Sequence, residues 1–517
     1  MTIFFNLLYS PSKMEYSQAT SYLDSTLRST SANILILCVL VVGTKLVYNV
    51  YFHPLASYPG PLYLIVSDIP LAIFSLLGIS QYPLKAAHDE YGDIVRIAPG
   101  TLSYIKPQAW SQIYGYKKNG GGRANFPKDP RFYNEMMLGK DTITLVSDDD
   151  AIPIRRSLNS AFSHRSLLEQ EPMIQEHIAG LMAQFEKHSA NKHPIDVREW
   201  FTFSMFDINS DFGFGEDMGC VRTGVYHEWV KFVIDYFYAA TLLHQCHKFW
   251  PLNRLLALCI PPSTREMQAN HHEASLQRVQ KRMAMDTDRH DFMYYFLQQA
   301  KKENLSTETI EAQATVLILA GSETSSVAQT AAVYHILMHP EIHEKLRDDI
   351  RNTFATVEDI KLQDVLNKLP YLDAVVQETL RIHAPLANGF TRWVPDRDGA
   401  TICGKHVPQG TVVTINHYCS NTSASNFRDP MSFIPDRWMG DAKYATDRRD
   451  VVQPFSVGPR NCPGQRFALY NIKLALTHLL WRFDLELGKD TENWALGQRI
   501  YNGWIQPALP VLMKERV

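Results

Sequence analysis

A chain of 517 residues, 45% of them hydrophobic, can bury a large core in one large domain or in several smaller ones. Its 51 Lys and Arg nearly balance its 54 Asp and Glu, so no global positive field exists to attract nucleic acid. The seven cysteines are scattered with no C-x-x-C pair, which favours free thiols in a reducing compartment over a disulfide framework.

The first predicted element is a transmembrane anchor at residues 32–52, after a short N-terminal segment at 1–31. A spanning helix needs about 20 residues, and the apolar run 34–43 supplies the centre of one. Lys45 can extend to the interface, and Tyr48 and Tyr51 suit the level of the headgroups. A buried core helix is the alternative, because the uninterrupted apolar part is short for a span.

A proline-rich hinge at residues 53–61 follows the anchor, since Pro54, Pro59 and Pro61 exclude a continuing helix. The apolar stretch Leu62–Leu77 predicts a helix against the membrane surface or one buried in the domain. Residues 62–517 show no linker, repeat or low-complexity tract, so we expect one large domain.

Hydrophobic periodicity predicts a mainly α fold with a minor β-sheet. The predicted helices are Ser166–Lys187, Tyr226–Thr241, a long segment from Ser306 to Pro340, Pro340–Phe354 and Gln363–His383, and the predicted strands are Ile94–Ile97 and Val412–Asn416. Gly120-Gly121-Gly122 lacks the G-K-[ST] ending of a phosphate loop and predicts a flexible loop. Asp148-Asp149-Asp150 is expected at the N-terminus of the next helix, where acids complement the helix dipole.

The strongest motif is the segment 455–464, which matches F-x-x-G-x-R-x-C-x-G at all five fixed positions: Phe455, Gly458, Arg460, Cys462 and Gly464. Five fixed residue types at fixed spacing should occur by chance in roughly one of several thousand chains of this length. At this motif the sequence resembles the cytochrome P450 superfamily, and other matches extend the resemblance over roughly residues 53–517.

The resemblance implies a haem b whose iron is bound by the Cys462 thiolate. Gly458 and Gly464 would let the loop turn and pack close to the ring, while Arg460 would pair with a haem propionate. Arg155 and Arg392 occupy positions where relatives also hold propionates. The chain departs from the family pattern at Ala151 and Pro153, where an aromatic or His and a basic residue are expected.

Two further motifs appear in the family's order along the chain. Glu378-Thr379-Leu380-Arg381 places an acid and a base on one helix face, and the resemblance implies a buried structural triad of Glu378, Arg381 and Arg437. Ala320-Gly321-Ser322-Glu323-Thr324 lies inside the long apolar helix. There, Gly321 would let a ligand approach the backbone, and Thr324 would bond back to the carbonyl of Ala320 and open the helix locally.

The resemblance implies a monooxygenase in which Glu323 and Thr324 relay protons while O2 is activated. No flavin or nicotinamide domain is evident, so an NADPH-dependent diflavin reductase is the implied electron donor. We expect attachment to the endoplasmic reticulum membrane with a cytosolic catalytic domain, and a hydrophobic secondary-metabolite substrate: a terpenoid, polyketide or alkaloid. Substrate contacts are predicted in apolar and aromatic stretches at 114–136, 205–250, 316–321, 386–390 and 502–504.

Three alternatives stay open on the sequence alone. A same-fold isomerase or dehydratase would need no external electrons, and the acid–alcohol pair argues against it. A non-enzymatic haem sensor or carrier would bind the cofactor without turnover. A zinc knuckle could combine Cys403 and His406 with His417 and Cys419, although its spacing fits only loosely.

Overall fold

The computed structural model of the chain describes residues 13–116, 125–133, 142–190, 193–249, 253–254, 273, 275–285 and 287–516. Within these residues the fold is mainly helical, with four small sheets, which confirms the predicted fold class. In chain order the helices are α1 (Lys13–Val47), α2 (Leu62–Ile65), α3 (Ile69–Leu76), α4 (Gln81–Tyr91), α5 (Pro107–Ile113), α6 (Asp148–Ala161), α7 (His164–Ser189), α8 (Val197–Phe214), α9 (Cys220–Thr223), α10 (Glu228–His247), α11 (Phe292–Lys302), α12 (Thr307–Met338), α13 (Pro340–Thr353), α14 (Leu362–Lys368), α15 (Pro370–Ile382), α16 (His417–Asn421) and α17 (Gln465–Arg482).

The strands are short and lie at the edges of the helical core. They are β1 (Ile94–Ala98), β2 (Thr101–Tyr104), β3 (Ile195–Asp196), β4 (Arg392–Trp393), β5 (Ala400–Ile402), β6 (Lys405–Val407), β7 (Val412–Ile415), β8 (Phe483–Leu487), β9 (Arg499–Tyr501), β10 (Gly503–Ile505) and β11 (Pro510–Glu515). The largest sheet has the order β1-β2-β7-β4, with β2 and β7 parallel and the other pairs antiparallel. Strands β3, β11 and β8 form a second sheet, and β5 with β6 and β9 with β10 form hairpins.

The N-terminal helix is long and apolar enough to cross a bilayer. Its segment Thr30–Phe52 has a mean hydropathy of 2.0 and is almost entirely exposed. The predicted anchor at 32–52 lies inside this segment, although α1 begins well before residue 32. A π-helical turn, Tyr48–Phe52, ends the element, and there the buried Asn49 donates its side-chain N–H to the Val66 carbonyl at 2.8 Å.

Helix α12 runs through the centre of the molecule. Ser306 caps its N-terminus by accepting a hydrogen bond from the Thr309 N–H, and Pro340 starts α13 just after it ends. Helix α8 packs along α12, and most side chains of both helices are buried. Helix α6 begins with Asp148-Asp149-Asp150 behind the Ser147 cap, as predicted from its acidic first turn.

Two stretches that the sequence predicts as single helices are each divided into two elements in the structure. The stretch Leu62–Leu77 forms the separate helices α2 and α3. The stretch Gln363–His383 breaks at Leu369, which precedes a proline and takes φ −116° and ψ 65°, outside the helical region. The predicted helix Tyr226–Thr241 is shifted to Glu228–His247, and Gly120-Gly121-Gly122 lies outside the described residues.

Candidate active site

The cysteine loop is a tight turn held by its own backbone. The Cys462 N–H donates to the Phe455 carbonyl at 2.8 Å, and a short 3-10 turn spans Gly458–Arg460. Gly458 has φ +77°, and a Cβ there would lie 2.1 Å from the Tyr114 carbonyl oxygen, so only glycine fits. The chain enters α17 directly after Gly464, which places Cys462 just before the N-terminus of a mostly buried helix.

The Cys462 side chain is exposed although the helix that follows it is buried. The protein atoms packed around this accessible thiol still remove part of its hydration, which raises its pKa, while the Gly464 N–H and the charge of Arg155 act in the opposite direction. Coordination to a metal deprotonates a thiol outright, so this raised pKa does not prevent ligation. Gly464 has an ordinary φ of −84°, and a Cβ there would lie 3.9 Å from the Cys462 sulfur; protein contacts alone therefore do not require glycine.

An accessible strip interrupts the buried surface of α12. Ala320 is exposed and Gly321 and Thr324 are half-buried, whereas Ser322 and Glu323 are buried. The Thr324 hydroxyl donates to the Ala320 carbonyl at 2.7 Å, as the sequence predicted. The helix continues without interruption from Thr307 to Met338, so this bond does not break it. The oxygen lone pairs of Thr324 are left to accept a hydrogen bond.

The neighbours of Gly321 give a physical reason for glycine at this position other than the predicted one. A Cβ at this position would lie 2.6 Å from the Asn209 side-chain oxygen on α8, so glycine permits the two helices to approach closely. The Asn209 side chain is fixed because its N–H donates to the Met205 carbonyl at 2.7 Å. Helix packing alone is therefore enough to require glycine here, and the close approach of a ligand at Gly321 stays a prediction.

Glu323 is a buried acid without a full set of partners. One of its carboxylate oxygens has no hydrogen-bond partner among the described residues. Burial raises its pKa, and the charge of Arg198 on α8 only partly opposes that shift. A carboxyl group kept near its protonated form inside the protein is suited to donate and recover a proton.

Three predicted arginines surround the cysteine loop. Arg155 on α6 donates to the Asn461 backbone carbonyl at 2.7 Å and to its side-chain oxygen. Arg460 binds the Asp148 carboxylate at 2.8 Å and the carbonyls of residues 143 and 146. Arg392 is buried on β4 and donates to the Tyr133 hydroxyl at 2.8 Å, but its Nε has no partner among the described residues.

Sequence reasoning missed a fourth cation, Lys128. An isolated antiparallel bridge pairs it with Arg392. Burial and then the charge of Arg460 lower the pKa of its ammonium to about 7, and Arg392 and Arg155 act in the same direction. The segment that carries Lys128 has no family motif, so only the fold could bring it to this cluster.

The predicted structural triad is a larger buried cluster. Arg381 binds Glu378 in a bidentate pair at 2.8 Å, and Arg437 donates to the same carboxylate at 3.0 Å. Arg437 also binds Asp447, a buried acid that no sequence motif indicates. Burial alone would raise the pKa of Glu378, but the charge and hydrogen bonds of Arg381, together with Arg437, lower it below its ordinary value.

A cavity of about 80 Å³ is lined from α3, α10, β7 and residues 129–132 and 388–391. The predicted substrate stretches 114–136, 205–250, 386–390 and 502–504 all contribute to it, but 316–321 does not. Polar side chains such as Asp129 and Lys248 line it beside apolar ones such as Leu71 and Val412, and the apolar and aromatic substrate lining stays a prediction. The Thr391 hydroxyl has no partner among the described residues.

The zinc alternative is not supported. Cys403, His406, His417 and Cys419 are all among the described residues, and they form no group of three or more ligands able to hold a metal ion. Cys403 lies in the β5–β6 turn, where its backbone N–H donates to the Gln112 side-chain oxygen. The His417 ring packs on Trp110, with 5.1 Å between the ring centroids.

The remaining geometry fits a haem. An accessible thiol follows a rigid loop, and Arg155, Arg392 and Arg460 act on Lys128 as like charges, while Asp148, the carboxylate that attracts Lys128, is bound by Arg460. A buried excess of positive charge needs anions, and the two propionates of a haem would supply them. The orphaned Nε of Arg392 is a free donor for such an anion. These features define the site of a haem-thiolate enzyme.

Comparison with known proteins agrees. The family model described as Cytochrome P450 matches residues 73–508, and the chain therefore belongs to the cytochrome P450 family. It is similar to the cytochrome P450 monooxygenase astD of Aspergillus oryzae, at 43% identity over 91% of each chain. It is also similar to the cytochrome P450 monooxygenase astA of Talaromyces wortmannii, at 36% identity over 91% of this chain and 94% of that protein, and to the trichothecene C-15 hydroxylase of Fusarium sporotrichioides, at 33% over 91% and 95%. The chain is a cytochrome P450 monooxygenase.

Proposed function

We propose that Cys462 binds the iron of haem b as a thiolate and that the protein inserts one atom of O2 into a C–H bond of a fungal secondary-metabolite intermediate. The observation that carries this proposal is the exposed Cys462 thiol at the end of a rigid loop, in a fold whose central helix has an accessible strip at Ala320 and Thr324. The bound haem-thiolate would supply the activation of O2. Each remaining step depends on side chains of the chain itself.

Thr324 and Glu323 are proposed to deliver protons. Because the Thr324 hydroxyl hydrogen is held by Ala320, its oxygen can accept a hydrogen bond from a water in the accessible strip and fix that water in position. Glu323 lies one residue away and is buried with a raised pKa, so it can hold a proton and recover it from solvent through the polar side of α8. Arg198 is the nearby charge that would help the carboxylate form.

The substrate is proposed to be a largely hydrophobic small molecule that carries oxygen substituents. The similar trichothecene C-15 hydroxylase is named for the hydroxylation of a trichothecene, and a hydrophobic intermediate of fungal metabolism is consistent with the predicted apolar stretches. Polar side chains in the 80 Å³ cavity, among them the Thr391 hydroxyl, which has no partner within the described residues, favour a substrate that has hydrogen-bonding groups.

The electron donor is proposed to be a membrane-bound NADPH-dependent diflavin reductase, because the cytochrome P450 family implies a reductase partner. The apolar helix Thr30–Phe52 would hold the protein in the endoplasmic reticulum membrane with its catalytic domain in the cytosol. A second membrane contact is proposed for exposed apolar side chains on α2 and α3: Leu62, Tyr63, Ile69, Ile73 and Leu77.

The test uses the full chain in membranes that also contain a diflavin reductase. We expect the reduced carbon monoxide complex to show the red-shifted Soret band of a thiolate ligand, and Cys462→Ser to lose that band while Cys220→Ser retains it. Incubation with extracts of candidate metabolites, NADPH and ¹⁸O2 should give product that carries one labelled oxygen. Product formed without NADPH would show an isomerase or dehydratase instead, and haem binding without any turnover would show a sensor or carrier.

A further inference from the structure

Lys128 occupies a position that the fold fixes closely. The Trp393 N–H donates to the Pro127 carbonyl at 3.1 Å, and the bridge between Lys128 and Arg392 continues this pairing. The ammonium group donates to the backbone carbonyls of Ile143, at 3.3 Å, and Thr144, and it lies 5.3 Å from the centre of the Tyr133 ring. Strand β4 therefore holds the backbone at Lys128, and the segment before α6 holds its side chain.

The charge around Lys128 is unbalanced. Arg460, Arg392 and Arg155 repel its ammonium, and the carboxylate that attracts it, Asp148, is already bound by Arg460. Its neighbour Asp129 is held in a two-bond pair with Arg131. Backbone carbonyls are weak partners for an ammonium that burial has partly stripped of water. The arrangement therefore lacks an anion within reach of Lys128.

The first turns of α6 supply few donors for a haem propionate. The side chains of Ala151 and Pro153 donate no hydrogen bond. Arg155, from the same helix, is engaged with Asn461 beside the cysteine. A cation from another segment would add a donor for a propionate.

We propose that Lys128 binds a haem propionate and supplies a donor that the side chains at positions 151 and 153 do not. This inference rests on the proposed haem site. Lys128 would approach the propionate edge from the segment before α6, beside Arg392, whose Nε has no partner in the part of the chain that the structure describes. Because its role would be to hold the cofactor, it is a positioning residue. A purely structural role, in which the ammonium only ties the Ile143 and Thr144 carbonyls, is the competing explanation.

The test compares two variants. Lys128→Met keeps a long unbranched side chain but removes its charge, and Lys128→Arg keeps the charge. Lys106→Met is the matched control, because Lys106 forms a half-exposed pair with Asp93 at 3.3 Å. The holoenzyme in detergent is mixed with excess apomyoglobin, and haem loss is followed spectroscopically. We expect Lys128→Met to lose haem roughly tenfold faster or more, from the loss of one charge-assisted bond, and Lys128→Arg to stay within roughly threefold of the wild type.

Two further readouts separate the propionate role from the structural one. In Lys128→Met the propionate bending band in the resonance Raman spectrum should shift, and the ferric/ferrous potential should fall because a positive charge near the haem is gone. Lower thermal stability with an unchanged Raman band, potential and rate of haem loss would overturn the inference and leave Lys128 as a structural lysine. Absence of a thiolate-haem spectrum in the wild type would instead overturn the proposed function itself.

Discussion

Thr324 makes its predicted bond to the Ala320 carbonyl at 2.7 Å and still lies on the accessible strip of α12. Thr324→Ala removes that hydroxyl and with it the acceptor that we propose fixes a water for proton delivery. Haem content and substrate binding should be unchanged, because the thiolate and nearly all apolar contacts remain. Product per NADPH should fall by roughly one to two orders of magnitude, with hydrogen peroxide released instead.

Thr324→Ser is the matched control, since it keeps the hydroxyl and loses only a methyl group. Its ratio of product to NADPH should stay close to the wild-type value. Product, peroxide and NADPH are measured in the same reaction for all three proteins. Equal ratios in the wild type and the Ala variant would show that the substrate or another group delivers the proton.

At the scale of single residues, the sequence is informative where chemistry demands a fixed spacing. The cysteine motif placed Cys462 and Gly458, and the loop geometry explains Gly458 through its contact with the Tyr114 carbonyl. Lys128 and Asp447 could not be predicted. Lys128 meets Arg392 through a bridge between segments distant in the chain, and Asp447 meets Arg437 across an irregular stretch that has no periodic pattern, so nothing in the local sequence indicates either pairing.

Helices α8 and α12 approach most closely where Gly321 faces Asn209. In Gly321→Ala the new Cβ would meet the Asn209 oxygen at 2.6 Å, and overpacking of this kind costs about 1 to 3 kcal/mol. The better helix propensity of alanine offsets about 1 kcal/mol of that cost. We expect a lower thermal midpoint for Gly321→Ala in the wild-type background.

The matched background is Asn209→Ala, which removes the colliding atom. In Asn209→Ala the Met205 carbonyl still accepts a side-chain hydrogen bond, because the Ser322 hydroxyl donates to it at 3.3 Å. In that background Gly321→Ala should raise the thermal midpoint, since only the gain in helix propensity remains. The same sign of the effect in both backgrounds would show that Asn209 is not the reason for glycine.

Helix α15 is tied to residues 417–447 by its buried Glu378 cluster. Glu378 has a pKa below its ordinary value of 4.5 in the folded protein, so its contribution to stability is complete above about pH 4.5 and is lost as the pH falls through the lowered value. Glu378→Gln leaves Arg381 and Arg437 buried without this partner. We expect a loss of about 3 to 5 kcal/mol at neutral pH and a weaker fall of stability in acid.

The measurement is the unfolding midpoint of each protein at several values between about pH 3 and pH 7. Asp348→Asn is the control, because Asp348 forms an exposed pair with Arg347 at 2.9 Å and should change little. Parallel pH profiles for the wild type and Glu378→Gln would mean that the cluster does not cause the loss of stability at low pH.

Most long elements were predictable because their apolar faces repeat with the helical period. Helices α7 and α12 match their predicted spans within about two residues, and caps at Ser163 and Ser306 define where they begin. The predictions failed where one apolar run contains a break. Pro370 separates α14 from α15, and a turn at Val66–Asp68 separates α2 from α3. Periodicity alone cannot detect a break that leaves the apolar pattern intact.

The apolar N-terminal helix is joined to the domain by more than the proline-rich segment 53–61. The π-helical turn Tyr48–Phe52 carries Asn49 into the domain, where it binds the Val66 carbonyl in the turn between α2 and α3. The exposed apolar side chains of α2 and α3 are therefore fixed close to the end of the apolar helix. We infer that the bilayer contacts both parts and that this helix, acting as an anchor, sets how the domain meets the membrane.

Deletion of residues 1–47 tests this arrangement while keeping Asn49 and its bond. The deletion removes most of the exposed apolar segment, so much of the protein should move from the membrane pellet to the supernatant. A fraction should still pellet in high salt, because burial of Leu62, Ile69 and Ile73 is hydrophobic and salt does not screen it. Adding Ile69→Ser and Ile73→Ser to the deletion should release that fraction, while Met431→Ser, at an exposed apolar residue outside α2 and α3, should not. If the deletion alone releases all of the protein, α2 and α3 make no membrane contact and the anchor holds the enzyme by itself.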